Sequence, residues 1–280
     1  MQIAVASGKG GTGKTLLSTS LMKVLADYDP VLIDADVEEP NAGLILRQEV
    51  IDTDDVNRPV PEINLQKCNF CGKCAEICNF NALVVLADKV LVFNELCHSC
   101  GACAYLCPQN AIKEKGHPIG VIEECRVLSG GTLLTGRLNV GEAQSPPLIK
   151  AAKGRRKDAE LRIIDCPPGT TCPMIESIRD SDYCLLVTEP TPFGLHDLEL
   201  SLEATKMLGI PSGLVINRWQ GEDEDLAALS NRTGVPILAR IPFDSKLAQA
   251  YMQGRDPLAA MPVLHSILSD IMNQIKEAIA

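Results

Sequence analysis

Short apolar runs alternate with helical periodicities along most of this chain. Strands are predicted near residues 2–6, 31–34, 162–165, 183–188, 213–216 and 236–240, and helices near 14–27, 194–208, 222–232, 244–253 and 261–278. Such alternation predicts an α/β fold, a mostly parallel sheet covered by helices on both faces, with any ligand site at the carboxyl ends of the strands. The order breaks once. Between residues 63 and 115 the sequence ALVVLADKVLVFNELC reads as a hairpin turning at Ala87-Asp88-Lys89, with cysteine-rich loops on both sides. The expected organisation is therefore a discontinuous domain, residues 1–62 and 116–280, interrupted by a small α+β insert over 63–115. Residues 129–147, SGGTLLTGRLNVGEAQSPP, read as a glycine-rich loop: a joint between insert and main domain, or a plain connection.

Composition narrows the classes. The chain has 280 residues, 46% hydrophobic and 22% charged, which is ordinary for a globular protein able to bury a substantial core. A net charge of −10 argues against direct binding to nucleic acid or anionic membranes, which need a basic face. The basic run Lys153, Arg155, Arg156, Lys157 is too short to reverse this and reads as a solvated loop. No signal peptide is recognised, and no apolar stretch approaches the ~20 residues of a membrane span. The last helix carries Leu264, Ile267, Leu268, Ile271 and Ile275 on one face with only Lys276 as a nearby cation, so it reads as core-packing rather than membrane-seeking.

Two of the cysteine clusters carry distinctive chemistry. Cys68, Cys71, Cys74 and Cys78 stand in C-x2-C-x2-C-x3-C spacing, and Cys97, Cys100, Cys103 and Cys107 repeat it, followed by Pro108. Four thiolates so spaced can wrap a [4Fe–4S] cubane, with three on one tight loop and the fourth expected to start a helix. Asn79 rather than proline follows Cys78, which softens that helix start without removing a ligand. Zinc sites are the alternative, against which eight cysteines in two copies of one iron–sulfur spacing weigh heavily. Reduced thiolates imply a reducing, cytoplasmic compartment. The segment resembles a bacterial two-cluster ferredoxin, in which the fourth cysteine of each run ligates the other cluster. The resemblance implies one cluster on Cys68, Cys71, Cys74 and Cys107, and a second on Cys97, Cys100, Cys103 and Cys78.

The N-terminus supplies a second chemistry. An apolar strand runs into Gly8-Lys9-Gly10-Gly11-Thr12-Gly13-Lys14-Thr15 and then a helical pattern, a P-loop in its required context. Glycines let backbone N–H groups turn toward phosphates, and the helix N-terminus adds partial positive charge. Lys14 is expected on the β- and γ-phosphates of ATP, and the Thr15 hydroxyl on Mg²⁺.

With its second lysine, KGGTGKT resembles the deviant Walker A motif of the MinD/Mrp/ParA and nitrogenase-iron-protein ATPases. The resemblance implies that Lys9 reaches across an ATP-bound homodimer to the partner's phosphates. Further motifs follow in that group's order. VLIDADVEEPN resembles switch I, with Asp36 orienting the attacking water. LRIIDCPPG resembles Walker B and switch II, with Asp165 on the Mg²⁺ shell and the Gly169 N–H sensing the γ-phosphate. LLVTEPTPFGLHDLE matches the strand-to-helix step that follows. Asn217 in LVINRW and Pro242 and Phe243 in RIPFD resemble the adenine contacts. The whole chain thus resembles MinD-type ATPases with an inserted ferredoxin domain. Some such proteins carry a label of cobyrinic acid diamide synthase, but no glutaminase domain or Cys–His nucleophile pattern supports amidation here.

Four cysteines remain. Cys184 sits in an apolar strand and reads as core; Cys166 and Cys172 flank switch II, and Cys125 lies between insert and Walker B. Cys125 and Cys172 are expected either as unreactive thiols or as a subunit-bridging site. The leading expectation is an ATPase coupling nucleotide state, through two [4Fe–4S] clusters, to electron transfer or docking with a redox partner protein. The alternatives are an iron–sulfur cluster carrier resembling Mrp, with a cluster-accepting partner, and a spatial regulator resembling MinD or ParA with structural clusters.

Overall fold

A computed structural model describes residues 1–280. The chain runs β1 (Gln2–Ala6), α1 (Lys14–Val24), β2 (Val31–Asp34), β3 (Gln48–Ile63), α2 (Lys73–Glu76), β4 (Leu83–Val85), β5 (Val90–Val92), α3 (Ala102–Tyr105), β6 (Ile112–Val127) and β7 (Thr132–Leu138). It continues through α4 (Pro146–Lys153), β8 (Arg162–Asp165), α5 (Cys172–Ile178), β9 (Tyr183–Thr188), α6 (Pro192–Met207), β10 (Ser212–Trp219), α7 (Glu224–Thr233), β11 (Ile237–Pro242), α8 (Ser245–Met252), α9 (Pro257–Ala260) and α10 (Val263–Ile279).

One nine-stranded sheet has the order β11-β10-β9-β1-β8-β2-β7-β6-β3. The strands from β11 to β7 run parallel, and β6 and β3 are antiparallel additions at one edge. The central strands are buried on both faces, so they read as continuous apolar runs. Alternate side chains nevertheless serve different layers. Ile3 and Val5 pack with Leu17, Leu21 and the Leu264, Leu268, Ile271 and Ile275 stripe of α10, whereas Ala4 and Ala6 face Met174, Leu198 and Leu202. This is the α/β architecture expected, and α10 is a core helix.

The interruption is built differently from the sequence expectation. β3 and β6 pair along their whole length, from Gln48 opposite Val127 to Ile63 opposite Ile112. Beyond Gly120, where β6 leaves β7, the pair runs on as a free two-stranded ribbon. Over the seven residues from Asn57 to Ile63 it extends about 23 Å at ~3.3 Å per residue. The cysteine-bearing unit with its β4–β5 hairpin packs along this ribbon, the Cys97 loop beside Pro59 and Pro61 and the Cys68 loop beside Ile63 and Ile112 at the far end. Residues 129–147 are not one loop. Gly130 and Gly131 make a tight turn with φ of +108° and +85°, β7 then enters the sheet between β2 and β6, and α4 begins at Pro146. Only residues 139–145 remain irregular.

The basic run is likewise only partly solvated. Lys153 is buried at the end of α4 and donates to the carbonyls of Glu176 and Arg179, while Arg155 and Arg156 pair with Asp54 and Glu124 on the ribbon's root.

Candidate functional site

The parallel strands end on a cavity of about 380 Å³ lined by Gly10, Gly11, Gly13, Lys14, Thr15, Asp36, Pro168, Asn217, Pro242 and Phe243, with Leu247 and Tyr251 of α8 as one wall. Residues far apart in sequence therefore meet where the expected phosphate and base contacts meet. Gly13 takes φ +100° directly before α1, and a Cβ there would stand 2.3 Å from Asn217 Nδ2, so both conformation and space demand glycine. Asn217 Nδ2 donates to the Thr12 carbonyl at 2.7 Å, which ties β10 to the glycine-rich loop before α1.

Lys14 is nearly buried and donates from Nζ to Ser7 Oγ at 2.8 Å. Burial lowers its pKa, and the carboxylates of Asp165 and Asp36 act in the opposite sense. Asp34 and Asp165 end the adjacent strands β2 and β8 in register and are both buried. Burial raises both, Asp165 to about 6; the Asp165 carboxylate adds to the Asp34 shift, and the Asp36 carboxylate adds to that of Asp165. Asp34 is held by the Ala42 amide at 2.9 Å. Asp165 Oδ1 accepts from Ser18 at 3.1 Å, while Oδ2 is buried without a partner; the Thr15 hydroxyl lies near enough to favour the ionised form but closes no hydrogen bond to Oδ2. A hydroxyl beside a desolvated, unpartnered carboxylate oxygen fits a Mg²⁺ shell better than it fits an apolar core. Asp36 is half-buried at the cavity mouth, its pKa raised by burial and restrained by Lys14.

Two expected contacts are engaged elsewhere in this chain. Lys9 Nζ pairs at 3.3 Å with Glu189, which also holds Arg218 at 2.7 Å. The Gly169 N–H, at φ +93°, donates to the Ser7 carbonyl at 3.1 Å. Glu189 was not singled out from sequence. The available signal was an acid directly after a wholly buried strand. Gly8 lies under α6, where a Cβ would come within 2.5 Å of Asp197 Cβ.

The eight spaced cysteines form two groups drawn from both runs. Cys68, Cys71, Cys74 and Cys107 line one small cavity with Ile63 and Ile112; Cys78, Cys97, Cys100 and Cys103 line another with Pro59 and Pro61. The second group is therefore nearer the sheet. Backbone N–H groups of Phe70, Ala82, Ser99 and Ala111 donate to the sulfurs of Cys68, Cys78, Cys97 and Cys107 at 3.3–3.4 Å. All twelve cysteines are free thiols. Burial raises the Cys74 and Cys103 thiols, Cys103 to about 11, with Cys68 and Cys107 adding to the first shift and Cys97 and Cys100 to the second. Sulfur donors in two sets of four, each receiving amide hydrogen bonds, fit a pair of iron–sulfur clusters. No three His, Cys, Asp or Glu side chains are gathered closely enough for a single metal ion. One expectation needs correction: the third cysteine of each run lies in a one-turn helix and the fourth follows it, because Gly72 and Gly101 start those helices with positive φ.

Cys125, Cys166 and Cys184 are buried in the two core layers, where burial raises their thiol pKa values. Cys125 is thus unable to bridge subunits with Cys172, which is exposed at the start of α5. No helix is long and apolar enough to cross a membrane.

A family model described as the CobQ/CobB/MinD/ParA nucleotide binding domain matches residues 3–258. An uncharacterized protein of Methanocaldococcus jannaschii is 31% identical over 282 residues, spanning 99% of this chain and 96% of its own. The iron-sulfur cluster carrier protein of Pyrococcus abyssi is 24% identical over 303 residues, spanning 99% of this chain and 87% of its own. Among solved structures, the cell division ATPase MinD of Pyrococcus furiosus is similar in fold, with a TM-score of 0.60 at 21% identity over 99% of this chain and 98% of that one.

Proposed function

The chain belongs to the CobQ/CobB/MinD/ParA nucleotide-binding family, whose members are P-loop ATPases, and from that premise we propose that it is an ATP-hydrolysing homodimer whose nucleotide state governs a module holding two [4Fe–4S] clusters. The observation that carries this reading is the sorting of eight cysteines into two crossed groups on a ribbon whose first strand begins at Gln48, separated by six residues from Asn41, where the switch I segment ends.

In this reading the P-loop amides of Gly10 to Gly13 and the Lys14 ammonium hold the β- and γ-phosphates, and Thr15 with Asp165 orders Mg²⁺ and its water. Asp36 accepts a hydrogen bond from the attacking water and orients it in line. Asn217, Pro242 and Phe243 take the adenine. Lys9 leaves Glu189 on dimer closure and neutralises charge on the partner's phosphates, and Gly169 exchanges the Ser7 carbonyl for the γ-phosphate. Hydrolysis removes that phosphate and releases both switches. Cys68, Cys71, Cys74 and Cys107 hold one cluster, and Cys78, Cys97, Cys100 and Cys103 the other. When bound, the clusters supply one-electron storage and exchange with a redox partner protein. The amide donors to the cysteine sulfurs favour the more negative, reduced state.

The test is anaerobic light scattering with cluster-loaded protein. ATP should convert monomer to dimer, Lys14→Ala should abolish nucleotide binding, and Asp36→Ala should hold ATP and remain dimeric. A chain that stays monomeric with ATP in both parent and Asp36→Ala overturns the reading. A second reading, cluster delivery, is favoured by the similarity to the Pyrococcus carrier protein and by the exposure of Cys71 and Cys100. Transfer of cluster iron to an apo acceptor protein within minutes would select it over electron exchange.

A further inference from the structure

The irregular segment 139–145 touches both ends of the molecule's chemistry. On one side Ser145, buried at the start of α4, donates from Oγ to Glu38 Oε1 at 3.0 Å. Glu38 is two residues beyond Asp36. The Leu138 N–H donates to the Val37 carbonyl at 2.9 Å, and Gly136 lies so close that a Cβ there would stand 2.6 Å from Val37 Cγ1. Val37 of switch I is therefore in direct contact with the end of β7. On the other side Gln144 Nε2 donates to the carbonyl of Cys97 at 3.0 Å. The same carbonyl accepts from Arg58 Nη1 at 2.7 Å, and Arg58 Nη2 donates to the Asn94 carbonyl at 2.7 Å and pairs with Glu142 at 3.2 Å. Arg58 and Glu142 are both almost fully buried, and His117 approaches the other Glu142 oxygen at 3.6 Å. A buried charge pair fixes geometry strictly, because separating it leaves an uncompensated charge. The loop bearing Cys68, Cys71 and Cys74, by contrast, makes its hydrogen bonds only within the cysteine-bearing unit.

We propose that residues 139–145 are a rigid connector through which switch I positions the Cys97 loop, so that nucleotide acts on the cluster held by Cys78, Cys97, Cys100 and Cys103 and leaves the Cys68 group unaffected. Glu38, Ser145, Gln144, Glu142 and Arg58 are its positioning residues. The proposal rests on the ATPase and two-cluster reading above and adds which cluster responds and by what contacts. Linkage requires that a cluster potential shifted by nucleotide be matched by a nucleotide affinity that depends on cluster redox state. A tenfold affinity difference equals a shift of about 60 mV for a one-electron couple.

The experiment is an EPR-monitored redox titration of the cluster-loaded full chain with no nucleotide, with ADP and with a non-hydrolysable ATP analogue. Cys71→Ala serves to leave the Cys97 group alone. The expected result is a shift of about 60 mV between ADP and the ATP analogue in one cluster only, fully retained in Cys71→Ala. In Gln144→Leu/Ser145→Ala, and separately in Glu38→Ala, which removes the acceptor for Ser145 Oγ, the shift should fall to a third or less with nucleotide affinity within threefold of parent. Hydrogen exchange of segments 94–99 and 139–145 should slow together with the ATP analogue in parent and not in the double variant. A shift on the Cys68 group, a shift unchanged in both connector variants, or no shift in a parent that binds ATP and dimerises would each overturn the connector. Failure to bind ATP or to hold iron would instead overturn the reading on which it rests, and the connector with it.

Discussion

Replacing Asp165 by asparagine should make the nucleotide-free protein more stable and the Mg²⁺-nucleotide complex less stable than the parent. Asp165 is 1% exposed and its carboxyl rises from 3.8 to about 6, chiefly through burial. For a carboxyl whose folded value exceeds its unfolded one, the stabilising contribution of the protonated form is full below the unfolded value and is lost as pH rises through the folded one. The window is thus from 3.8 to about 6, and at pH 7.5 the parent carries a burial penalty of about 3 kcal/mol from a shift of roughly two units. That figure is a ceiling, because part of the rise comes from the Asp36 carboxylate, which raises Asp165 less when it is itself protonated. Asparagine keeps the acceptor for Ser18 Oγ while removing the charge. Urea unfolding without Mg²⁺ should therefore show Asp165→Asn above the parent by up to about 3 kcal/mol at pH 7.5 and by about half that at pH 5. With Mg²⁺-ADP at a thousandfold excess over its Kd the parent gains about 4 kcal/mol, which the variant forfeits with the metal-binding oxygen, so the order reverses. A variant less stable than the parent in both conditions, or a gain that grows toward pH 5, would refute the argument that Asp165 is a charge buried for Mg²⁺.

Anaerobically purified protein should carry about eight iron and eight acid-labile sulfides per chain, and Cys71→Ala about half, with nucleotide affinity retained. Two zinc ions without visible absorbance would contradict this. Glu189→Gln, which frees Lys9 and Arg218 from their shared carboxylate, should tighten ATP-dependent dimerisation several-fold, whereas Lys9→Ala should bind nucleotide as a monomer. Equal dimer affinity in parent and both variants, by sedimentation, would remove Lys9 from the interface.

The legible part of the molecule was the part whose side chains report burial. β1, β2, β8 and β9 are buried on both faces, and the six strands expected from the sequence lie where apolar runs marked them. P-loop residues, Asp36 and Asn217, singled out by residue type as well as spacing, line one cavity, and Asp165 lies buried at the end of β8 beside Ser18 of α1. β3 was not. QEVIDTDDVNRPVPEI is mostly exposed, acidic, and contains Pro59 and Pro61. Prolines argue against a central strand, but β3 is the edge, and two prolines of like parity withhold N–H groups only from its unpaired side. β7 was obscured by Gly136 within it and by the glycines that flank it. They read as flexibility, whereas Gly136 is required by the approach of Val37. Lys9 resembled a residue aimed at a partner, and nothing in the local motif signalled the carboxylate that holds it within its own chain.

The insert's mode of attachment bears directly on how it could respond to nucleotide. A module hung on two flexible linkers would average over orientations, and small movements of switch I would be lost in that averaging. Here the two connecting segments pair with each other over their whole length, and β6 also pairs with β7 from Gly120 to Arg126, so the root of the ribbon is part of the sheet that also carries Asp34 and Asp165. Motion of the ribbon root is resisted by the sheet. The route left between switch I and the Cys97 loop is the contact of Glu38 with Ser145 and of Gln144 with the Cys97 carbonyl, against the fixed Arg58–Glu142 pair. Rigidity of the support is what makes so short a contact able to report: a displacement of Glu38 is transmitted to the Cys97 carbonyl only if the ribbon cannot follow it. The same reasoning places the Cys68 group, farther along the ribbon and bonded only to its own unit, where a partner protein could reach it without touching the nucleotide site.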